Sequence, residues 1–125
     1  MHTAKLIGIA PQLVVTDVTK TAEYYRDKLG FNIIGYLGDD PPVYAMVERD
    51  GMQVHFGKSD NGETRPNTQL RRISVDIIIW VPEIDSFYEE LKTRNVEVSE
   101  AIVQRSYGRE FLITDCNGFT IAVCD

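Results

Sequence analysis

The sequence predicts an α+β fold built from two tandem βαβββ modules. Three observations carry that prediction: an internal repeat, an amphipathic helix at the same place in each copy, and short β-like runs separated by turn residues after each helix. The repeat comes first because it decides the architecture. "PQLVVTDVTKTAEYYRDKLGFNII" (Pro11–Ile34) and "VDIIIWVPEIDSFYEELKTRNVEV" (Val75–Val98) share one plan: apolar strand, acidic residue, amphipathic helix, a residue suited to positive φ, new strand. The offset is about 66 residues at Val15/Val81 and Asp17/Glu83, close to half the chain. One domain is expected, with module one at about 8–57, a linker at about 58–70 and module two at about 71–125.

The helices follow from local chemistry. Asp17 sits where an N-cap belongs, and its carboxylate can accept from a first-turn N–H that has no helical partner. Val18, Ala22, Tyr25 and Leu29 then recur at helical spacing and form one apolar stripe. Gly30 follows the stripe and tolerates the left-handed conformation that stops a helix. In the second copy Pro82 suits an N-terminal position, Ile84, Phe87, Tyr88 and Leu91 make a denser stripe, and Asn95 is the stop. Both helices should lie on a sheet.

After the first helix come "FNIIGYL", the turn Asp39–Pro42, "VYAMVE", the turn Arg49–Gly51 and "MQVHFG". After the second come "VEVSEAIVQ", "REFLIT", the turn Asp115–Gly118 and "FTIAVC", with Asn117 and Gly118 both able to take positive φ. Lys58–Leu70 is polar and carries Pro, Gly and Asn, as an exposed linker does.

Composition narrows the function. A net charge of −6 and a pI near 4.9 argue against nucleic acid and anionic membranes, because phosphate binding needs clustered Lys and Arg, and Arg71–Arg72 is the one basic pair. No run approaches the roughly 20 apolar residues of a membrane helix, and "MHTAKLIGIAPQL" is too weakly apolar for a secretory signal. Cys116 and Cys124 have neither framework nor metal spacing, which fits free thiols in a reducing cytoplasm. There is no G-x-S-x-G elbow, no phosphate-cradling Gly-rich loop and no Cys–His pair at reactive spacing.

The tandem βαβββ plan, with "VVTDVTKTAEYYRDKLGF" in module one and "YGREFLITDCNG" in module two, resembles the vicinal oxygen chelate superfamily. That group includes glyoxalase I, extradiol dioxygenases and bleomycin-resistance proteins. The resemblance implies sheets curled into a mixed-strand cup, helices on its outer face, a site inside and a homodimer. It also implies where metal-using members would place ligands: Ala10, Asp76, Ala122, and a position near Gln53 or His55. Alanine cannot coordinate, and a divalent cation needs three or four converging donors. The chain has two histidines, His2 and His55, which disfavours an oxygenase iron site.

Strand alternation assigns faces. Ala10, Gln12, Val14 and Thr16 should face the cup; so should Asp76, Ile78 and Trp80, and Thr120, Ala122 and Cys124. Alternation alone leaves open which face of the Tyr107–Thr114 run looks into the cup. The expected ligand-binding residues are Gln12, Tyr44, His55, Asp76, Trp80, Tyr107, Arg109 and Phe111, with Tyr36 as a further aromatic candidate. His55 could be oriented by Asp76, and Asp76 could be paired by His55, Arg109 or a cationic ligand. No catalytic residue, metal or cofactor is expected. The reading is a metal-free protein that binds a small, partly aromatic molecule, a cationic one and an antibiotic among the candidates. The alternatives are a metal-dependent lyase or isomerase of the glyoxalase I type and a family member with no small-molecule role.

Overall fold

The computed structural model describes residues 2–125. Module one runs β1 (Gln12–Val15), α1 (Val18–Leu29), β2 (Asn32–Leu37), β3 (Tyr44–Arg49) and β4 (Met52–Lys58). Module two runs β5 (Ile77–Trp80), α2 (Ile84–Thr93), β6 (Val98–Arg105), β7 (Gly108–Thr114) and β8 (Thr120–Cys124). Between them the linker contributes one 3₁₀ turn, Asn67–Gln69.

The local signals act as their chemistry requires. Asp17 is extended, and its Oδ1 accepts from the Lys20 N–H at 3.0 Å. Gly30 closes α1 at φ 75°, and Asn95 takes the same region at φ 59° after α2. Glu83 precedes α2 without any side-chain cap, so that helix relies on Asp85 in its first turn and on packing. Asp50 (φ 51°) and Gly51 (φ 82°) both take positive φ between β3 and β4, the geometry of a type I′ hairpin. In the β7–β8 turn only Gly118 (φ 87°) does so; Asn117 instead spends its side chain on Thr21.

The strands form two four-stranded sheets, ordered β1-β4-β3-β2 and β5-β8-β7-β6. β1 and β5 run parallel to β4 and β8, and the other pairs are antiparallel. The α+β class and the two-module order therefore stand, but the eight strands do not join into one sheet. β1 and β5 are edge strands that do not pair with each other.

Both sheets turn their helix-bearing faces toward a single core. Val15, Tyr25, Val47 and Phe56 of module one and Ile84, Leu91, Phe111 and Ile121 of module two belong to one buried cluster. Polar clamps cross between the modules. Tyr25 donates to Asp115 Oδ2 at 2.7 Å, Asn117 donates to Thr21 Oγ1 at 2.9 Å, and Arg49 grips Glu90 through two bonds of 2.8 and 3.0 Å. The helices and the helix-bearing faces of both sheets belong to that core, so the other face of each sheet turns away from it. No helix among the described residues is long and apolar enough to cross a membrane.

Candidate functional site

Module one's outer face is built by β1, β3 and β4. Register places Gln12 beside His55, Tyr44 beside Gly57 and Glu48 beside Gln53, all on the side away from the helices. Their side chains join in one line. Gln12 Nε2 donates to the Tyr44 hydroxyl at 3.2 Å, that hydroxyl lies 2.7 Å from His55 Nδ1, and His55 Nε2 lies 2.8 Å from Gln53 Oε1. The Tyr44 and His55 rings meet edge to face, 5.4 Å between centroids at 89°. Val14, half exposed, extends the face along β1.

Module two's outer face has a different chemistry. Trp80 on β5 lies beside Cys124, and Cys124 lies beside Glu110 on β7. Trp80 and Glu110 thus flank β8 at about two strand spacings, roughly 10 Å. The floor between them is Ala122 and Cys124, both buried. Trp80 is 69% exposed, an unusual state for the chain's only tryptophan. Glu110 accepts from the Tyr107 hydroxyl and from Arg105, which also pairs with Glu100, so two carboxylates share one guanidinium. Burial and the neighbouring Glu110 carboxylate push the Cys124 thiol up, with its sulfur 3.9 Å from Glu110.

Four expected residues lie elsewhere. Phe111 is fully buried on the helix side, against Phe87 and Tyr88. Arg109 shares that side of β7 and pairs with Asp85 and Asp125, not with Asp76. Asp76 accepts from the backbone N–H groups of Asn67 (2.7 Å) and Thr120 (2.9 Å); it ties the linker to β8 and neither orients His55 nor awaits a cation. Tyr36 opposes the core residue Ala45 and so looks toward the helix side, with Glu23 and Arg26 of α1 as its charged neighbours. Gln12, Tyr44 and His55 are together on one outer face, and Trp80 and Tyr107 belong to the other. Glu110, which organises module two's face, was missed. Its signal was the β7–β8 register, which the sequence does not print.

A cleft of about 590 Å³ lies between β1, the linker and the start of module two, lined by Gln12, Val14, Glu63, Arg65, Asp76 and Phe119 among others. The donors for a cation cage do not converge there or on either face. Both nitrogens of His55 are engaged, both Asp76 oxygens cap backbone N–H groups, and Ala122 has no donor atom. Among the described residues no three of His, Cys, Asp and Glu gather as metal ligands. The residues present therefore do not fit a metal of the glyoxalase or dioxygenase kind. What the faces can do is stack a planar group on Trp80 and exchange hydrogen bonds with it.

A two-module chain with a shared helical core and two open, chemically distinct sheet faces defines the class. The chain belongs to the Glyoxalase/Bleomycin resistance protein/Dioxygenase superfamily, whose model matches residues 2–123. No curated protein matches the sequence. Solved structures share its fold. The bleomycin-binding protein from bleomycin-producing Streptomyces verticillus, complexed with copper(II)-bleomycin, is 23% identical, with a TM-score of 0.72 and 98% of each chain covered. TnmS3, an antibiotic binding protein from Streptomyces sp. CB03234, is 16% identical, with a TM-score of 0.75 and the same coverage. A glyoxalase-related enzyme from Clostridium phytofermentans is 18% identical, with a TM-score of 0.77, 98% of this chain and 97% of that one.

Proposed function

We propose that this chain is a metal-free binding protein for a small, partly aromatic molecule, acting as a homodimer in which module one of one copy faces module two of the other. One observation carries the reading. The Tyr44–His55 face and the Trp80–Glu110 face both turn away from the core that the modules share, so neither sheet walls the other's open face within one chain. A second copy supplies the missing wall of each cleft.

Other features support it. Leu6, Ile7 and Ile9 are 88–96% exposed, and Ile78, Val43 and Met52 are exposed as well, more apolar surface than a lone chain ordinarily leaves wet. Glu100 and Glu110 against the single Arg105, and the net charge of −6, favour a ligand with a cationic end near Trp80. Bleomycin and antibiotic binding by proteins of the same fold support an antibiotic-like ligand. The free thiols of Cys116 and Cys124 support a reducing compartment.

The test uses the dimer and the sole tryptophan. Light scattering should give twice the 14.2 kDa chain mass. Metal-free and copper-loaded bleomycin should each shift or quench Trp80 emission, and metal analysis should find no stoichiometric Zn, Ni, Mn or Fe. A monomer at all concentrations overturns the shared cleft, and one metal equivalent per chain overturns the metal-free reading.

A further inference from the structure

We infer that the Gln12–Tyr44–His55–Gln53 line takes up the proton of an acidic hydroxyl on the ligand, and so holds a phenol- or enol-type group as its anion. The inference rests on the cleft proposed above and assigns the chemistry of its module-one wall.

The argument starts from which atoms can donate. Gln53 Oε1 is only an acceptor, so the 2.8 Å contact places a proton on His55 Nε2. Nδ1 then carries the ring's lone pair, and the Tyr44 hydroxyl donates to it at 2.7 Å. Gln12 Nε2 in turn donates to the Tyr44 oxygen at 3.2 Å. Every bond runs the same way, toward Gln53, and the Tyr44 oxygen keeps one acceptor site for a ligand O–H. Tyr44 and His55 are both partly exposed on the face where that ligand would lie.

The transfer balances with no outside reagent. The ligand's O–H bond breaks and its proton joins the Tyr44 oxygen, while the Tyr44 proton moves to His55 Nδ1. The products are ligand anion, neutral Tyr44 and imidazolium. Both imidazolium N–H groups keep acceptors, Tyr44 Oη and Gln53 Oε1. The second N–H of Gln12 has no partner among the described residues and is available to the anion.

Charge explains why an anion is the natural complement. The side chains in contact with His55, from β3 and β4, are the neutral Tyr44 and Gln53, and Gln12 and Met46 face it across the register. Glu48 sits one position away and is engaged by the Gly51 N–H; Glu63 and Arg65 border the Gln12 end and pair with each other. No carboxylate touches the ring, so the charge on a protonated His55 is met only when the ligand brings one. A molecule with an ionised hydroxyl at this wall and a cation at Glu110 would satisfy both halves of the cleft.

Two chromophores test this. With the wild-type dimer, at a pH where free 4-nitrophenol is mostly protonated, binding should raise the phenolate absorption band. His55→Gln and Tyr44→Phe should each abolish the band and weaken 4-nitrophenol binding roughly tenfold or more. 4-Nitroanisole, which has no proton to give, should bind the wild type without any such band, by Trp80 emission. Far-UV circular dichroism and light scattering matching the wild type show that both variants folded. Bound 4-nitrophenol that keeps its phenol spectrum, or a His55→Gln protein that keeps the phenolate band, overturns the inference. If 4-nitroanisole still perturbs Trp80 in that case, the binding reading survives alone; if neither probe nor bleomycin perturbs it, both fall.

Discussion

The two modules pair their strands alike and fill equivalent positions with opposite chemistry. Where module one sets Gln12 beside His55 and Tyr44 beside Gly57, module two sets Ile78 beside Ala122 and Glu110 beside Cys124. The same backbone therefore offers a line of neutral hydrogen-bonding groups on one face and an apolar floor between an aromatic and a carboxylate on the other. The difference continues into the core. Ala22 and Ala45 of module one correspond to Tyr88 and Phe111 of module two, and Thr21 corresponds to Phe87. With small residues between them, α1 sits close to β2, β3 and β4, whereas α2 approaches no strand as closely. Duplicating a module does not duplicate its packing: side-chain volume sets the helix-to-sheet distance in each copy.

That contrast is most sharply broken in the core. Phe111→Ala should cost about 3–5 kcal/mol in urea unfolding, because Phe87 and Tyr88 hold α2 off the sheet and cannot collapse into the gap. The reciprocal change, Ala45→Leu, should cost roughly 1–3 kcal/mol by forcing α1 away from β3. If Ala45→Leu proves neutral, the spacing argument fails.

The hairpin turns differ as well. Asp50–Gly51 of module one is exposed, while Asp115 is buried beneath α1, accepting from Tyr25, Asn117 N–H and Phe119 N–H. Burial raises the Asp115 carboxyl and, with the nearby Asp115 charge, holds the Tyr25 hydroxyl well above its ordinary range. Asp115→Ala leaves three buried donors unpaired and should cost about 2 kcal/mol, measured the same way; Asp50→Ala should cost less.

The clamp between modules has a pH signature. Arg49 lowers the Glu90 carboxyl below its ordinary value. A lowered carboxylate stabilises the fold fully above the unfolded value, about 4.3, and loses that contribution as pH falls through the lower folded value. Glu90→Gln should thus be less stable than wild type at neutral pH, and the gap should close in acid below about pH 4. A gap that widens on acidification would assign the clamp the wrong sign. The smallest effect belongs to Trp80: Trp80→Ala should change unfolding stability by less than about 0.5 kcal/mol while removing the stacking surface. A larger loss at low protein concentration would mean that Trp80 packs a core instead of a cleft.

Much of this was legible in the residues. Caps and stops are local, so Asp17, Gly30 and Asn95 could be placed without knowing the partner strands. Alternation also put Gln12, Trp80 and Ala122 on the faces away from the helices, because β1, β5 and β8 carry clear apolar sets on the other side. β7 was different. In "GREFLIT" both parities mix charged and apolar residues, so Arg109 and Phe111 read as cleft while Glu110 did not. Asp76 misled for a related reason: a carboxylate beside apolar neighbours needs a partner, and the sequence cannot reveal that backbone N–H groups of Asn67 and Thr120 supply it.

The sequence by itself determined the two-module order, the helices, the turns and the missing donor at Ala122, since each rests on a residue's own conformational or chemical limits. Only the tertiary structure decided that the helix faces share one core, that Tyr44 and His55 join Gln12 and Gln53 in one hydrogen-bonded line, and that Glu110 shares a face with Trp80 while Arg109 and Phe111 turn to the helix side. Those outcomes depend on register and on helix-to-sheet spacing, properties of pairs of elements that no single stretch of chain encodes.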